Sequence, residues 1–130
     1  AAPFGDGNIY FDTNAGSGNI RADGASGFSV GEVHLLGFYG TDTDNEQEVY
    51  VDGTLLDAAG SGQAVTATSK GVMIGGILGS TYAHIDLCEM HVVNGTITTS
   101  DRQKLEGYAA HTWGQTALLP GGHPYKTEAP

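Results

Sequence analysis

The chain has one cysteine in 130 residues and only five lysines and arginines, against 15 aspartates and glutamates. A lone cysteine excludes a disulfide within the chain, and we expect Cys88 to be a small buried apolar residue. The formal net charge of −10 argues against the clustered basic surface on which nucleic-acid affinity depends, and against binding to an anionic membrane. We therefore expect neither nucleic acid nor membrane as a partner.

Long apolar runs are also missing. No stretch approaches the roughly 20 apolar residues that span a bilayer, and no charged segment followed by an apolar one opens the chain. Ala1 stands first without a methionine, which Met removal, cleavage of a precursor or excision of a domain would all produce. In contrast, 21 glycines and many Thr, Val, Asp and Asn residues favour short strands joined by turns. The composition predicts one all-β domain over residues 1–130.

Two β-hairpins are predicted in the first half of the chain. The β-prone runs 8–12 and 19–22 flank a turn-rich segment. A stronger signal is Asp52-Gly53 between two apolar runs, because this pair tolerates the positive φ angles of a type I′ turn. The segment 83–93 is predicted to be a central strand that is covered on both faces. Further strands are predicted at 28–30, 32–39, 64–68 and 72–76.

One helix, at about residues 100–113, is predicted near the end of the chain. Ser100 and Gln103 form a capping-box pattern, and Gly114 suits the position after the last helical turn. The helix should be amphipathic, with an apolar face of Leu105, Tyr108, Ala109, Thr112 and Trp113. Residues 115–130 contain three prolines and should form an extended tail without a helix. The tail should pack through Leu118, Leu119 and Tyr125.

Several motifs follow one another between Val33 and Tyr125. They are Val33-His34-Leu35-Leu36, Val49-Tyr50-Val51-Asp52-Gly53-Thr54-Leu55, Ile74-Gly75-Gly76, Ile85-Asp86-Leu87-Cys88-Glu89-Met90, the helix from Asp101 to Tyr108, Trp113-Gly114 and His123-Pro124-Tyr125. In this order the chain resembles the LamG-like, concanavalin A-like jelly-roll domains of phage virion and bacterial surface proteins. The resemblance implies an antiparallel β-sandwich with one C-terminal amphipathic helix and an extended tail.

The resemblance also implies a function and partners. The first expectation is a non-enzymatic structural protein of a bacteriophage virion, used for capsid decoration or in a head or tail appendage at the virion surface. The alternative is a lectin-like module that binds host glycans, on a virion or on a bacterial cell surface. Members of the family usually have a longer N-terminal portion, and a short sandwich leaves strand edges unpaired. We therefore expect docking on other virion proteins or self-association.

Candidate ligand sites are few. The acidic residues Asp42, Asp44 and Glu46 supply oxygens of the kind that Ca²⁺ binds, but they lack the spacing of an EF-hand. A solvated hairpin tip is the favoured interpretation, and no metal or other cofactor is expected. Tyr39 and Tyr82 are candidate platforms for a sugar.

No catalytic residues are expected. His84, Asp86, Glu89 and His91 alternate between the two faces of the predicted strand, which separates them too widely for a compact zinc site or a hydrolytic carboxylate pair. Glu89 should instead be a half-buried carboxylate that is hydrogen-bonded to backbone or helix groups. Structural roles are expected for Glu89, Ser100, Tyr108, Trp113 and Tyr125, with Trp113 as a packing anchor.

Overall fold

A computed structural model describes residues 8–13, 20–25, 27, 31–40, 47–59, 76–77, 81–82 and 85–130. Among these residues the elements are, in order, β1 (Asn8–Thr13), β2 (Ile20–Ala25), β3 (Leu36–Gly40), β4 (Gln47–Val51), β5 (Thr54–Ala59), β6 (Gly76–Ile77), β7 (Thr81–Tyr82), the helix α1 (Thr99–Thr112) and a 3-10 turn at Thr116–Leu118. The described strands form the antiparallel sheets β1–β2, β3–β4–β5 and β6–β7.

The hairpin at Asp52-Gly53 is confirmed. It joins β4 to β5, and both turn residues have positive φ angles, 52° at Asp52 and 76° at Gly53. The Asp52 carboxylate also accepts a hydrogen bond from the Leu35 amide at 2.9 Å, and the Asp52 amide donates to the Leu35 carbonyl. The His34 ring lies 2.8 Å from the same carboxylate. The turn is therefore tied to the chain that enters β3.

The first hairpin is confirmed as well, since β1 and β2 pair from Asn8 opposite Ala25 to Thr13 opposite Ile20. Strand β3 covers only the second half of the strand predicted at 32–39. The strands predicted at 28–30 and 64–68 lie outside the described residues, and so does most of the one predicted at 72–76.

A small core lies between the first hairpin and the three-stranded sheet. Ile9 and Val49 are buried, and Leu36, Val51 and Leu56 pack against them. Because side chains alternate along a strand, the residues that neighbour Val49 on β4 lie on the other face of the sheet. That other face is turned toward α1.

Residues 85–98 contain neither helix nor strand, so the prediction of a central strand is wrong for the described part of 83–93. A strand exists only through hydrogen bonds to a neighbouring strand, and no described strand pairs with this segment. The apolar pattern that predicted the strand carries no information about a partner. Four apolar side chains here are exposed by 47% to 75% of their surface: Leu87, Met90, Val92 and Val93. We call residues 86–93 the exposed segment.

The N-terminal cap of α1 is Thr98 and not Ser100, which lies in the first turn. The Thr98 hydroxyl oxygen accepts from the Asp101 amide at 3.1 Å, and the hydroxyl donates to the Asp101 carboxylate at 2.6 Å. Thr98 and Ser100 are both good cap residues, but only Thr98 has this acidic partner three residues later. At the other end, Gly114 has a φ of 69°, in agreement with the prediction.

The predicted apolar face of α1 is wrong for three of its five residues: Leu105 and Ala109 are half-buried, but Tyr108, Thr112 and Trp113 are exposed. The buried residues of the helix are Gly107 and Ala110, whereas Tyr108 and Trp113 are 44% and 41% exposed. The reason is the path of the tail, which crosses the helix at Gly107. A Cβ atom there would lie 2.9 Å from Cγ of Tyr125. The helix and the tail come into contact because Gly107 has no side chain, and not because a row of apolar residues covers the helix.

The tail is not wholly extended, because it includes the 3-10 turn at Thr116–Leu118. Lys126 explains this turn, since its ammonium group donates to the carbonyls of Ala117, at 3.1 Å, and of Leu119. Leu119 is buried and Tyr125 is half-buried, as predicted. Leu118 is 41% exposed, so its predicted packing role is wrong.

Candidate functional site

A buried ionic cluster joins α1 to the tail. The Glu106 carboxylate, 10% exposed, accepts hydrogen bonds from Arg102 and, at 3.1 Å, from Nε2 of His123. The Tyr125 amide donates to Nδ1 of His123 at 3.2 Å, so Nδ1 is an acceptor and Nε2 carries the proton. The His123 side chain is 1% exposed and both of its nitrogens are used. This histidine therefore holds the tail and is not available to a ligand.

The tail also covers the Asp52-Gly53 turn. A Cβ atom at Gly53 would lie 3.2 Å from side-chain atoms of Leu119 and Pro120, and 3.3 Å from His123. The hairpin turn, the helix and the tail consequently pack as one unit. The C-terminal part of the sequence, from α1 to Tyr125, builds this unit together with the hairpin turn.

Glu89 lies against the C-terminal half of α1. Its carboxylate, 27% exposed, accepts hydrogen bonds from Nε1 of Trp113 at 2.9 Å and from the hydroxyl of Tyr108 at 3.3 Å. The Trp113 hydrogen bond foremost, then that of Tyr108 and the neighbouring His91, lowers the pKa of Glu89. The arrangement is the one expected for Glu89, with Trp113 acting as a donor and not as a packing anchor.

The other predicted ligand groups are not brought together. His91 lies beside Glu89 at 3.2 Å, whereas Asp86 is exposed and His84 is outside the described residues. Cys88 is exposed, so the prediction that it is buried is wrong. Within the described part of the chain no group of three or more His, Cys, Asp or Glu side chains is arranged to hold a metal ion. The calcium candidates Asp42, Asp44 and Glu46 lie outside that part.

A polar cleft lies between the outer face of the three-stranded sheet and the N-terminus of α1. Tyr39 of β3 stands opposite Glu48 of β4, and the Tyr50 hydroxyl donates to Glu48 at 2.7 Å. The Arg102 guanidinium covers the Tyr50 ring at 3.8 Å from its centroid. The cleft is lined by Tyr39, Glu48, Tyr50, Ile97, Thr98, Thr99 and Arg102.

Neighbouring groups act on two ionisable side chains of this cleft, Tyr50 and Arg102. Burial foremost, and then the hydrogen bond to Glu48, raises the pKa of Tyr50 to about 12, with Arg102 offsetting part of the effect. Tyr50 is thus a neutral donor around neutral pH. Arg102 reaches the cleft while it is paired with Glu106, which is itself bonded to His123. Arg102 therefore connects the cleft, through its contact with the Tyr50 ring, to the hydrogen bonds of the buried cluster.

Tyr39 was a predicted sugar platform, and it lines the cleft in a half-buried position. Tyr82, the second candidate, belongs to β7, and its side chain is not among those that the structure describes. Sequence reasoning missed Glu48 and Arg102 as cleft residues. The alternation around Val49 could have placed Glu48 on the face of Tyr50, but no local signal places Arg102 beside them.

No known family, curated protein or solved structure matches this chain. Among the described helices, none has the length and apolar character needed to cross a membrane. The described residues present two surfaces for binding: the polar cleft at the N-terminal end of α1, and the exposed segment that lies beside its C-terminal end.

Proposed function

We propose that this protein is a non-enzymatic structural protein of a bacteriophage virion, a capsid decoration or a head or tail appendage protein. It docks on a larger assembly at the virion surface through the exposed segment. One observation carries the proposal: within eight residues, four large apolar side chains are exposed on a backbone with which no described strand pairs. Surfaces of this kind mark interaction sites, because exposed apolar side chains and open strand edges otherwise invite aggregation.

The proposal includes a LamG-like sandwich as the fold. It is supported by the packing of two antiparallel sheets across Ile9 and Val49. The closure of α1 and the tail over the Asp52-Gly53 turn supports it too, because the motifs that carry the resemblance meet there.

Particle association tests the proposal. Virions purified from a lysate would be analysed by peptide mass spectrometry for the wild-type chain and for Val92→Asp, which puts a charge at a position that is 75% exposed. We expect the wild-type chain in the particles and about a tenfold loss for Val92→Asp, equivalent to about 1.4 kcal/mol of docking free energy. Val33→Asp is the matched control, since Val33 is 45% exposed but lies elsewhere. Absence of the wild-type chain from virions, or equal incorporation of both variants, contradicts the proposal.

The polar cleft favours a second function, a lectin-like module that binds host glycans. Sugar sites combine an aromatic side chain with a few convergent polar groups. In the cleft Tyr39 provides the aromatic ring, and Glu48 and Arg102 provide an acceptor and a donor. A virion protein that docks by the exposed segment can present this cleft to a host surface.

A glycan array with the isolated chain tests the second function. We expect saturable binding that Tyr39→Ala weakens at least about tenfold. Phe38→Ala is the control, because Phe38 is 48% exposed and neighbours Tyr39 on the opposite face of β3. Absence of binding by the wild-type chain, or equal binding by the two variants, excludes the cleft as a glycan site.

A further inference from the structure

We propose that the exposed segment pairs with the same segment of a second copy of the chain, in an antiparallel register centred on Met90. The inference rests on the proposed function and names a first partner within the assembly. A pairing of this kind has twofold symmetry, so each side presents the same surface to the other. The surface must therefore be complementary to itself.

The segment meets this requirement residue by residue. In the register centred on Met90, each residue stands opposite the residue at the same distance on the other side of the centre. The opposed pairs are Met90 with Met90, Glu89 with His91, Cys88 with Val92, and Leu87 with Val93. Acid meets base and apolar meets apolar, which are favourable cross-strand pairs.

Neighbouring registers lose this match. Centring on Glu89 places two glutamates opposite each other, and like charges directly opposite each other destabilise a strand pair. Centring on His91 places Glu89 opposite the apolar Val93, so the pairing of Glu89 with His91 is lost. The sequence around Met90 therefore specifies one register.

Side-chain directions agree with a strand in that position. Glu89 bonds to Trp113, and the His91 ring meets the edge of Tyr108 with centroids 5.8 Å apart, so both side chains lie on the α1 side. Residues two apart share a side in an extended backbone. Cys88, Met90 and Val92 are exposed, and a strand here would place all three on the side away from α1. Pairing joins these three from each copy into one apolar stripe, while α1 backs the opposite face.

In the described part of the chain, no backbone hydrogen bond reaches residues 86–93. A second strand supplies hydrogen-bond partners for these amides and carbonyls. A two-stranded ribbon alone is only marginally stable, so the packing of α1 against one face of the pair is needed as well. The net charge of −10 on each chain opposes the association, so salt should strengthen it by screening.

Light scattering on the purified full-length chain gives the first test. We expect a dimer at micromolar concentration, with a dissociation constant that falls as salt rises. A wild-type chain that stays monomeric throughout the micromolar range, in low and high salt, overturns the inference.

Cysteine cross-linking tests the register. In a Cys88→Ser background, Met90→Cys places two cysteines opposite each other, within the roughly 7 Å between Cα atoms that a disulfide allows. Val92→Cys in the same background is the matched control, because it is displaced from its own copy by four residues, about 13 Å. We expect a covalent dimer on mild oxidation for Met90→Cys alone. Equal cross-linking of the two variants, or cross-linking through Cys88 in the wild-type chain, overturns the proposed register.

Failure of this inference is distinguishable from failure of the proposed function. A monomeric chain that is still found in purified virions overturns the pairing and keeps the virion role. A dimer that is absent from virions supports the pairing and contradicts the virion role.

Discussion

At Gly107 the absence of a side chain lets the Tyr125 ring lie directly on α1. Gly107→Ala forces a methyl group to within 2.9 Å of the ring carbon Cγ, so either the tail or the helix must shift. Overpacking of this kind should lower the free energy of unfolding by about 2 kcal/mol, measured by urea denaturation. Gly122→Ala is the control, since nothing lies within 4 Å of a Cβ atom at Gly122. Equal stability of the two variants would show that the tail does not pack as described.

Tyr50 makes a prediction for alkaline pH. Its pKa is raised from 10.0 to about 12 in the folded chain, so its contribution to stability is fully present below pH 10 and is lost as pH rises toward 12. Titration of tyrosinate absorbance, with Tyr50→Phe subtracted from the wild type, should isolate an ionisation close to pH 12. An ionisation of this residue near 10 means that its burial and its hydrogen bond to Glu48 are absent in solution.

Glu89 makes the corresponding prediction for acid pH. Hydrogen bonds from Trp113 and Tyr108 lower its pKa below 4.5, so its stabilising effect is present above that value and is lost as pH falls through the folded-state pKa. Glu89→Gln should therefore be less stable than the wild type near neutral pH, and the difference should shrink below pH 4.5. Urea midpoints measured across this range provide the test. The matched control is Asp86→Asn, which removes an exposed carboxylate of the same segment. A Glu89→Gln profile parallel to the wild type contradicts the prediction.

At the scale of the element, the start of α1 distinguishes two adjacent cap residues. Thr98→Ala removes the acceptor for the Asp101 amide and should cost about 1 kcal/mol of unfolding free energy. Ser100→Ala changes a residue inside the first turn and should cost much less. Thermal or urea unfolding of the two variants decides between them, and a larger loss for Ser100→Ala would restore the cap predicted from the sequence.

Patterns within short stretches of the sequence predicted where the strands, turns and helix lie better than which of these elements contact each other. The turn chemistry of Asp52-Gly53 was sufficient to predict the β4–β5 hairpin, and cap residues and Gly114 located the helix to within one residue. The buried face of α1 could not be predicted, because it depends on Tyr125, which lies far along the chain from Gly107. The predicted central strand failed for a related reason, since an apolar pattern does not reveal whether a neighbouring strand is available.

The residues of the candidate site were likewise predictable from the sequence only in part. Tyr39 could be singled out from the sequence as a candidate aromatic platform for a sugar. Its neighbour Arg102 could not, because it reaches the cleft only through the packing of α1 on the three-stranded sheet. Cross-element contacts of this kind are set by tertiary structure, which no pattern within one segment contains.

For the whole molecule, α1 separates the two surfaces proposed for binding. Its first turns line the polar cleft through Thr99 and Arg102, whereas Tyr108 and Trp113 hold the exposed segment. Arg102 and Trp113 are eleven residues apart, which corresponds to about 16 Å along a helix axis. Docking through the exposed segment therefore leaves the cleft accessible to a ligand.

Hydrogen exchange of the amides in residues 86–93 measures whether this backbone is open in the isolated chain and covered in the assembly. We expect rapid exchange in the dilute chain, with the amides of α1 protected as an internal reference, and slow exchange of the same segment once the chain is in the dimer or on the virion. Slow exchange of residues 86–93 at every dilution would mean that the segment is already paired within a single chain, and that it is not the docking surface proposed above.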